Sequence, residues 1–159
     1  MNEHFDKRFA FGDIAVNDLV KYLEDKKIPY TTCKEYFDPH WSRLMDKLWG
    51  DIVLYPHTKK EIWIDVKYNS ISEESATKFK GDYFWVFRYK TYKTHSTPID
   101  NIILTRDDVF NLSLPTEYNQ TLDSGSPGFK LVHKKIPAPI PDNIWETSRE
   151  HLKNILGTS

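Results

Sequence analysis

The stretch from residue 50 to residue 69, GDIVLYPHTKKEIWIDVKYN, constrains the fold of this chain more than any other. Two short apolar runs are joined by a polar turn at 56–60, the pattern of an antiparallel hairpin. With Tyr55 facing Glu61, Val53 faces Trp63 and Asp51 faces Asp65. Strand alternation then puts Ile52, Leu54, Ile62, Ile64 and Val66 on one wholly aliphatic face. Asp51, Val53, Tyr55, Glu61, Trp63, Asp65 and Lys67 fall on the other. A slip of one residue would invert the pattern, so the aliphatic face sets the register.

Opposed residues have Cβ atoms about 4.5–5.5 Å apart, and like charges there destabilise the pair. Two aspartates so placed call for a cation or a shared proton. Lys67, one step along the same face, supplies part of the charge, and a divalent metal would supply more. Carboxylate oxygens suit Mg²⁺ (or Mn²⁺), which binds through one or two carboxylates and keeps waters and substrate oxygens as its other ligands.

The flanking sequence predicts a mixed α/β domain with one sheet between helices. Val16, Leu19, Val20 and Leu23 have helical spacing, which predicts a helix over 13–27 starting at Gly12 and Asp13. IPYTTCKEY reads as a strand, and DPHWSRLMDKLWG as a helix with Asp38 as N-cap, Pro39 first and Gly50 just past its end. SISEESATKFKG predicts a helix capped by Ser72 and closed by Gly81. DYFWVFRYK and NIILT read as strands. Beyond residue 114 come a turn-rich loop, a late strand in FKLVHKKI, a proline-rich strap, and a closing helix from Asp142, read as its cap. No boundary divides the chain, which reads as one domain over 1–159.

A strand-borne Asp, a hairpin turn, then (Asp/Glu)-x-Lys on the next strand resembles the signature of the PD-(D/E)XK nuclease superfamily. The matching residues are Asp51 and Asp65-Val66-Lys67. The likeness covers a core over 12–105, leaving 106–159 as a C-terminal extension, and is nearest to small phage- or resolvase-type members. It implies a metal-dependent nuclease acting on DNA, an endonuclease, with Asp51 and Asp65 as metal ligands and Lys67 as a catalytic cation. Gly50 stands where the motif name has proline. Many members carry a glutamate on the first helix as a further ligand; the aligned position here is Val16, and Asp13, one turn earlier, is the substitute. The alternative is a nuclease-fold module without catalysis that binds nucleic acid or a protein partner.

Residues 78–95 carry Lys78, Lys80, Arg88, Lys90 and Lys93 against the single Asp82, interleaved with rings. The cations are candidate phosphate contacts, and the rings read equally as core. The formal net charge is −1, but residues 52–95 hold 8 Lys and Arg against 5 Asp and Glu, so any nucleic-acid surface is local. One cysteine, Cys33, excludes an internal disulfide and suits a reducing setting. Six histidines show no ligand spacing, and no G-x-S-x-G supports serine catalysis. No apolar run reaches membrane-spanning length and the start lacks a signal-peptide core, so a cytoplasmic protein without membrane partners is expected. Whether two copies pair, as cutting both strands of a duplex often requires, stays open.

Overall fold

The computed structural model describes residues 3–37, 44–45, 48–90, 97–111, 119–121, 127–133, 136–137 and 139–157. Helix α1 (Glu3–Asp25) leads into β1 (Tyr30–Thr32), the one-turn helix α2 (Cys33–Tyr36), β2 (Ile52–Leu54) and β3 (Ile62–Tyr68). A crossover of β4 (Ser70–Ser72) and α3 (Glu73–Lys78) reaches β5 (Tyr83–Arg88) and β6 (Asp100–Leu104). Next come α4 (Arg106–Asn111), β7 (Asn119–Thr121), β8 (Pro127–Lys130), β9 (Val132–His133), β10 (Ile136–Pro137) and α5 (Asp142–Leu156).

The main sheet has the order β1-β2-β3-β5-β6. Only the β3–β5 pair is parallel, with Asp65 beside Phe84 and Lys67 beside Val86; the other neighbours are antiparallel. The architecture is therefore α/β, a mostly antiparallel mixed sheet flanked by helices. A second sheet, β4-β8-β7, and the small β9–β10 ladder are built largely from the C-terminal third.

Each face of the main sheet buries its own apolar cluster. Ile52, Leu54, Ile64, Val66, Trp85, Phe87 and Ile103 pack under Ala15, Leu19 and Leu23 of α1 and Ile155 of α5. Phe84, Val86, Ile102 and Leu104 pack on the opposite side against Ala76 and Phe79, Val109 of α4 and Ile144 of α5. Strand β5 is thus covered on both faces, which is why its run is apolar without alternation.

Several expected boundaries move. Helix α1 begins at Glu3, well before Gly12, because one glycine inside a helix costs only about 1 kcal/mol and need not start it. The first strand stops at Thr32, whose hydroxyl accepts the Glu35 N–H and turns the chain into α2. Asp38 and Pro39 of the expected second helix lie outside the described residues. The segment 70–81 divides into β4 and α3: Ser72 is the cap as expected, but Phe79, not Gly81, ends the helix. The late strand divides into β8 and β9. Pro141, not Asp142, precedes α5, with no side-chain cap bond, and Gly157 closes that helix in the left-handed region at φ 70°.

Helix α5 is held at three levels, by β6, by α4 and by the β2–β3 turn. The Ile103 N–H of edge strand β6 donates to Ser148 Oγ at 2.8 Å, so the helix satisfies an edge that would otherwise face water. One turn on, His151 Nε2 meets Asp108 Oδ2 at 2.6 Å. At the far end the Tyr55 hydroxyl donates to the Ile155 carbonyl at 2.8 Å. Among the described residues no helix is long and apolar enough to cross a membrane.

Burial works against an ionised Asp108, but the bonds from His151 and from the Thr105 N–H and hydroxyl outweigh it and hold the carboxyl below its ordinary 3.8. A depressed folded-state value stabilises the fold above the unfolded pKa, and that contribution is lost as pH falls through the folded one. Asp108→Asn should therefore cost about 1.5–3 kcal/mol at neutral pH, with the deficit shrinking below about pH 4. Thermal melts from pH 7 to pH 2.5 check this; a deficit independent of pH would refute the assignment.

Candidate active site

The hairpin register is the one expected for its first three pairs: Ile52 with Ile64, Val53 with Trp63, Leu54 with Ile62. It fails at both ends. Tyr55 does not continue the ladder opposite Glu61; at φ 51° it turns away, its N–H bonds to Pro29 O, and its ring leaves the predicted face for α5.

At the other end Asp51 is not squarely opposed to Asp65. The Asp51 N–H donates to Ile64 O at 2.8 Å, so Asp51 and Ile52 share one partner and the strand kinks as at a bulge. Gly50 makes this possible. Its φ is +119°, and a Cβ there would lie 2.3 Å from Ile64 O. Proline, whose ring holds φ near −65°, does not fit this backbone, so the departure from the motif's first letter is structural here.

The kink answers the charge problem posed by two acids side by side. Asp51 Oδ2 accepts the Val66 N–H at 2.9 Å, in the place a strand carbonyl would take, directly beside the Asp65–Val66 peptide. Asp65, 8 % exposed, pairs with Lys67 through Oδ2 at 3.2 Å. Each carboxylate thus has a donor from the protein itself. The apolar neighbours Ile64 and Val66 pack under α1, so Asp65 and Lys67 point to the other side of the sheet.

The remaining candidates are dispersed. Asp13 is exposed on α1, which covers the face opposite to Asp65. Val16, at the position of the helix glutamate, is half-buried against the apolar cluster. Among the described residues no three His, Cys, Asp or Glu side chains converge where they could hold a metal ion. The acids at the kink are Asp51 and Asp65, one on each side of the β2–β3 pairing.

Of the candidate phosphate contacts, Lys78 is exposed but paired with Glu74 at 2.7 Å, and Lys80 and Lys90 are exposed. Lys93 lies outside the described residues. Arg88 departs from expectation: it is 4 % exposed, bonded to both Asp100 oxygens at 2.7 Å and to Leu131 O at 3.1 Å. Because β5 is covered on both sides, its guanidinium is buried and ties the main sheet to the residue that links β8 to β9. The rings Trp85, Phe87 and Tyr89 are core, and the Tyr89 hydroxyl donates to Asp18 at 2.6 Å.

Asn69 went unread in the sequence. Fully buried at φ 63°, it ends β3 two residues after Lys67, accepts the Tyr89 N–H at 2.6 Å and donates to Tyr89 O at 3.3 Å. Its side chain mimics one more rung of the sheet where the backbone turns away. The Asn-Ser dipeptide after an apolar run was the available signal.

Compared with known families and curated proteins, the chain matches no family model and no curated protein.

Proposed function

We propose that the chain is a divalent-metal-dependent nuclease of PD-(D/E)XK type that hydrolyses DNA phosphodiester bonds, as an endonuclease. The observation that carries the reading is the kinked edge of the hairpin, with Lys67 against Asp65 and the Asp51 carboxylate on the next peptide. The order of elements supports it: a helix, three antiparallel strands, a crossover helix, then a strand parallel to the one bearing Asp65.

Asp51 and Asp65 would hold Mg²⁺ or Mn²⁺. The ion, when bound, polarises the phosphoryl oxygens and lowers the pKa of a water. Lys67, paired with Asp65 and one quarter exposed, would bring its positive charge to the phosphate as that group gains negative charge during attack. The buried sheet beneath holds these groups without reorganisation.

A second reading is a nuclease-fold module that binds nucleic acid or a protein without cutting. Val16 favours it, because an apolar packing residue occupies the position of the helix acid and Asp13 does not replace it. Incubation with supercoiled plasmid separates the two. Nicking or linearisation with Mg²⁺ or Mn²⁺, stopped by chelator, is expected; intact plasmid with both metals would leave the binding module.

A further inference from the structure

The side of the sheet that carries Asp65 and Lys67 also carries a group of rings that hydrolysis does not use. Trp63 precedes Asp65 by two residues, about 7 Å along the strand, comparable to one nucleotide of an extended single strand. It is 7 % exposed and enclosed by Tyr36 at 5.1 Å, Phe37 at 5.5 Å and Trp49 at 5.9 Å between ring centres. These three outer rings are only half-buried, and the exposed His57 stacks on Tyr36 at 4.6 Å. Glu61 fixes the group from behind, accepting from the Tyr36 hydroxyl at 3.0 Å, the His57 N–H at 2.8 Å and Trp63 Nε1 at 3.1 Å.

Trp49 lies next to Gly50 of the kink, two residues before Asp51. Its backbone is locked to the segment leading into β5. Lys80 N–H donates to Leu48 O at 2.6 Å, and a Cβ on Gly81 would lie 2.4 Å from Trp49 O. The segment that carries the partly exposed Trp49 is thereby bonded to the segment that carries the exposed Lys80. Lys34 and Lys59 are also exposed on the elements that carry the rings, with Glu35 and Asp82 interspersed. An aromatic ring and a cation on two segments bonded to each other fit a base and its phosphate better than a uniformly charged partner.

We propose that Trp49, backed by Trp63, is a stacking platform for an unpaired nucleobase next to the bond that is cut, with Lys80 meeting the adjoining phosphate. The substrate class is then DNA with unpaired nucleotides, since a base inside a duplex has both faces covered already. The position relative to the cut bond rests on the nuclease reading; the stacking itself does not.

The test is equilibrium binding of the wild-type chain, with chelator present, to a fluorescent single-stranded oligonucleotide and to its duplex. Tighter binding of the single strand is expected, with quenching of intrinsic tryptophan fluorescence. Trp49→Ala should weaken it by about 5- to 150-fold, and Trp49→Phe by much less. A series of single strands with one abasic position each, bound to unaltered protein, gives the same information should Trp49→Ala unfold; one position should lose a comparable factor. Equal affinity for duplex and single strand, or a flat abasic series, would overturn the proposal. A stacking signature without cleavage of any DNA by Mg²⁺ or Mn²⁺ would remove the hydrolytic reading and leave the platform standing.

Discussion

Asp65→Ala should reduce metal-dependent DNA cleavage to background, at least about 10³-fold. The loss follows from charge: a metal supplies several kcal/mol of stabilisation to a phosphoryl transition state, and each 1.36 kcal/mol is a factor of ten in rate. With one of its two carboxylates gone, the edge keeps only Asp51, already bonded to the Val66 N–H. The fold should survive, because the Asp65–Lys67 pair is not sealed in the core: the Lys67 side chain is one quarter exposed to water. Lys67→Ala should differ in kind, retaining metal binding while the rate falls about 10²–10³-fold. Plasmid cleavage and calorimetric Mn²⁺ titration of the same preparations give both quantities. Wild-type cleavage by Asp65→Ala would sink the nuclease assignment.

Gly50→Pro, the change that would restore the first letter of the motif, should be among the most destabilising substitutions in the chain. A residue at φ +119° whose Cβ would lie 2.3 Å from a backbone oxygen cannot be accommodated by rotating a side chain. Either Asp51 must leave Ile64 O or the β2–β3 pairing must open. Backbone strain of about 1–3 kcal/mol and overpacking of a similar size together suggest about 3 kcal/mol or more. For a chain of this size that lowers Tm by roughly 10 °C. Gly50→Ala should show most of the same loss. Gly12→Ala is the internal control: nothing lies within 4 Å of a Cβ there, and inside α1 the change should stabilise by about 0.5–1 kcal/mol. Melts of the three variants that rank Gly50→Pro beside Gly12→Ala would disprove the account of the kink.

The hairpin was readable because an aliphatic stripe with a period of two tolerates one register, and Ile52, Leu54, Ile64 and Val66 pack as one cluster. The kink beside it was not readable, since a positive φ at Gly50 depends on how closely Ile64 O approaches from the other strand. Helix α4 was legible and passed over: Thr105 and Asp108 exchange side-chain bonds with each other's N–H groups, the reciprocal cap that Thr-Arg-Asp-Asp announces. Arg88 was misread for a different reason. A cation in an aromatic strand looks solvated until the strand proves to be covered on both faces and Asp100, twelve residues on, proves to be its partner.

The bond from Tyr55 to Ile155 closes a loop of 100 residues, and it secures the very turn that joins β2 to β3. Local sequence can form that hairpin early, with the Tyr55 N–H on Pro29 O, but the Tyr55 hydroxyl meets its partner only once α5 has docked. Contacts so distant along the chain slow folding, because loop closure must precede any gain from them. During synthesis the strands bearing Asp51 and Asp65 therefore leave the ribosome well before the segment that completes their support. A nascent chain stalled before residue 142 would hold the acids and the lysine, with the Tyr55 hydroxyl at the tip of their hairpin still lacking the carbonyl of α5.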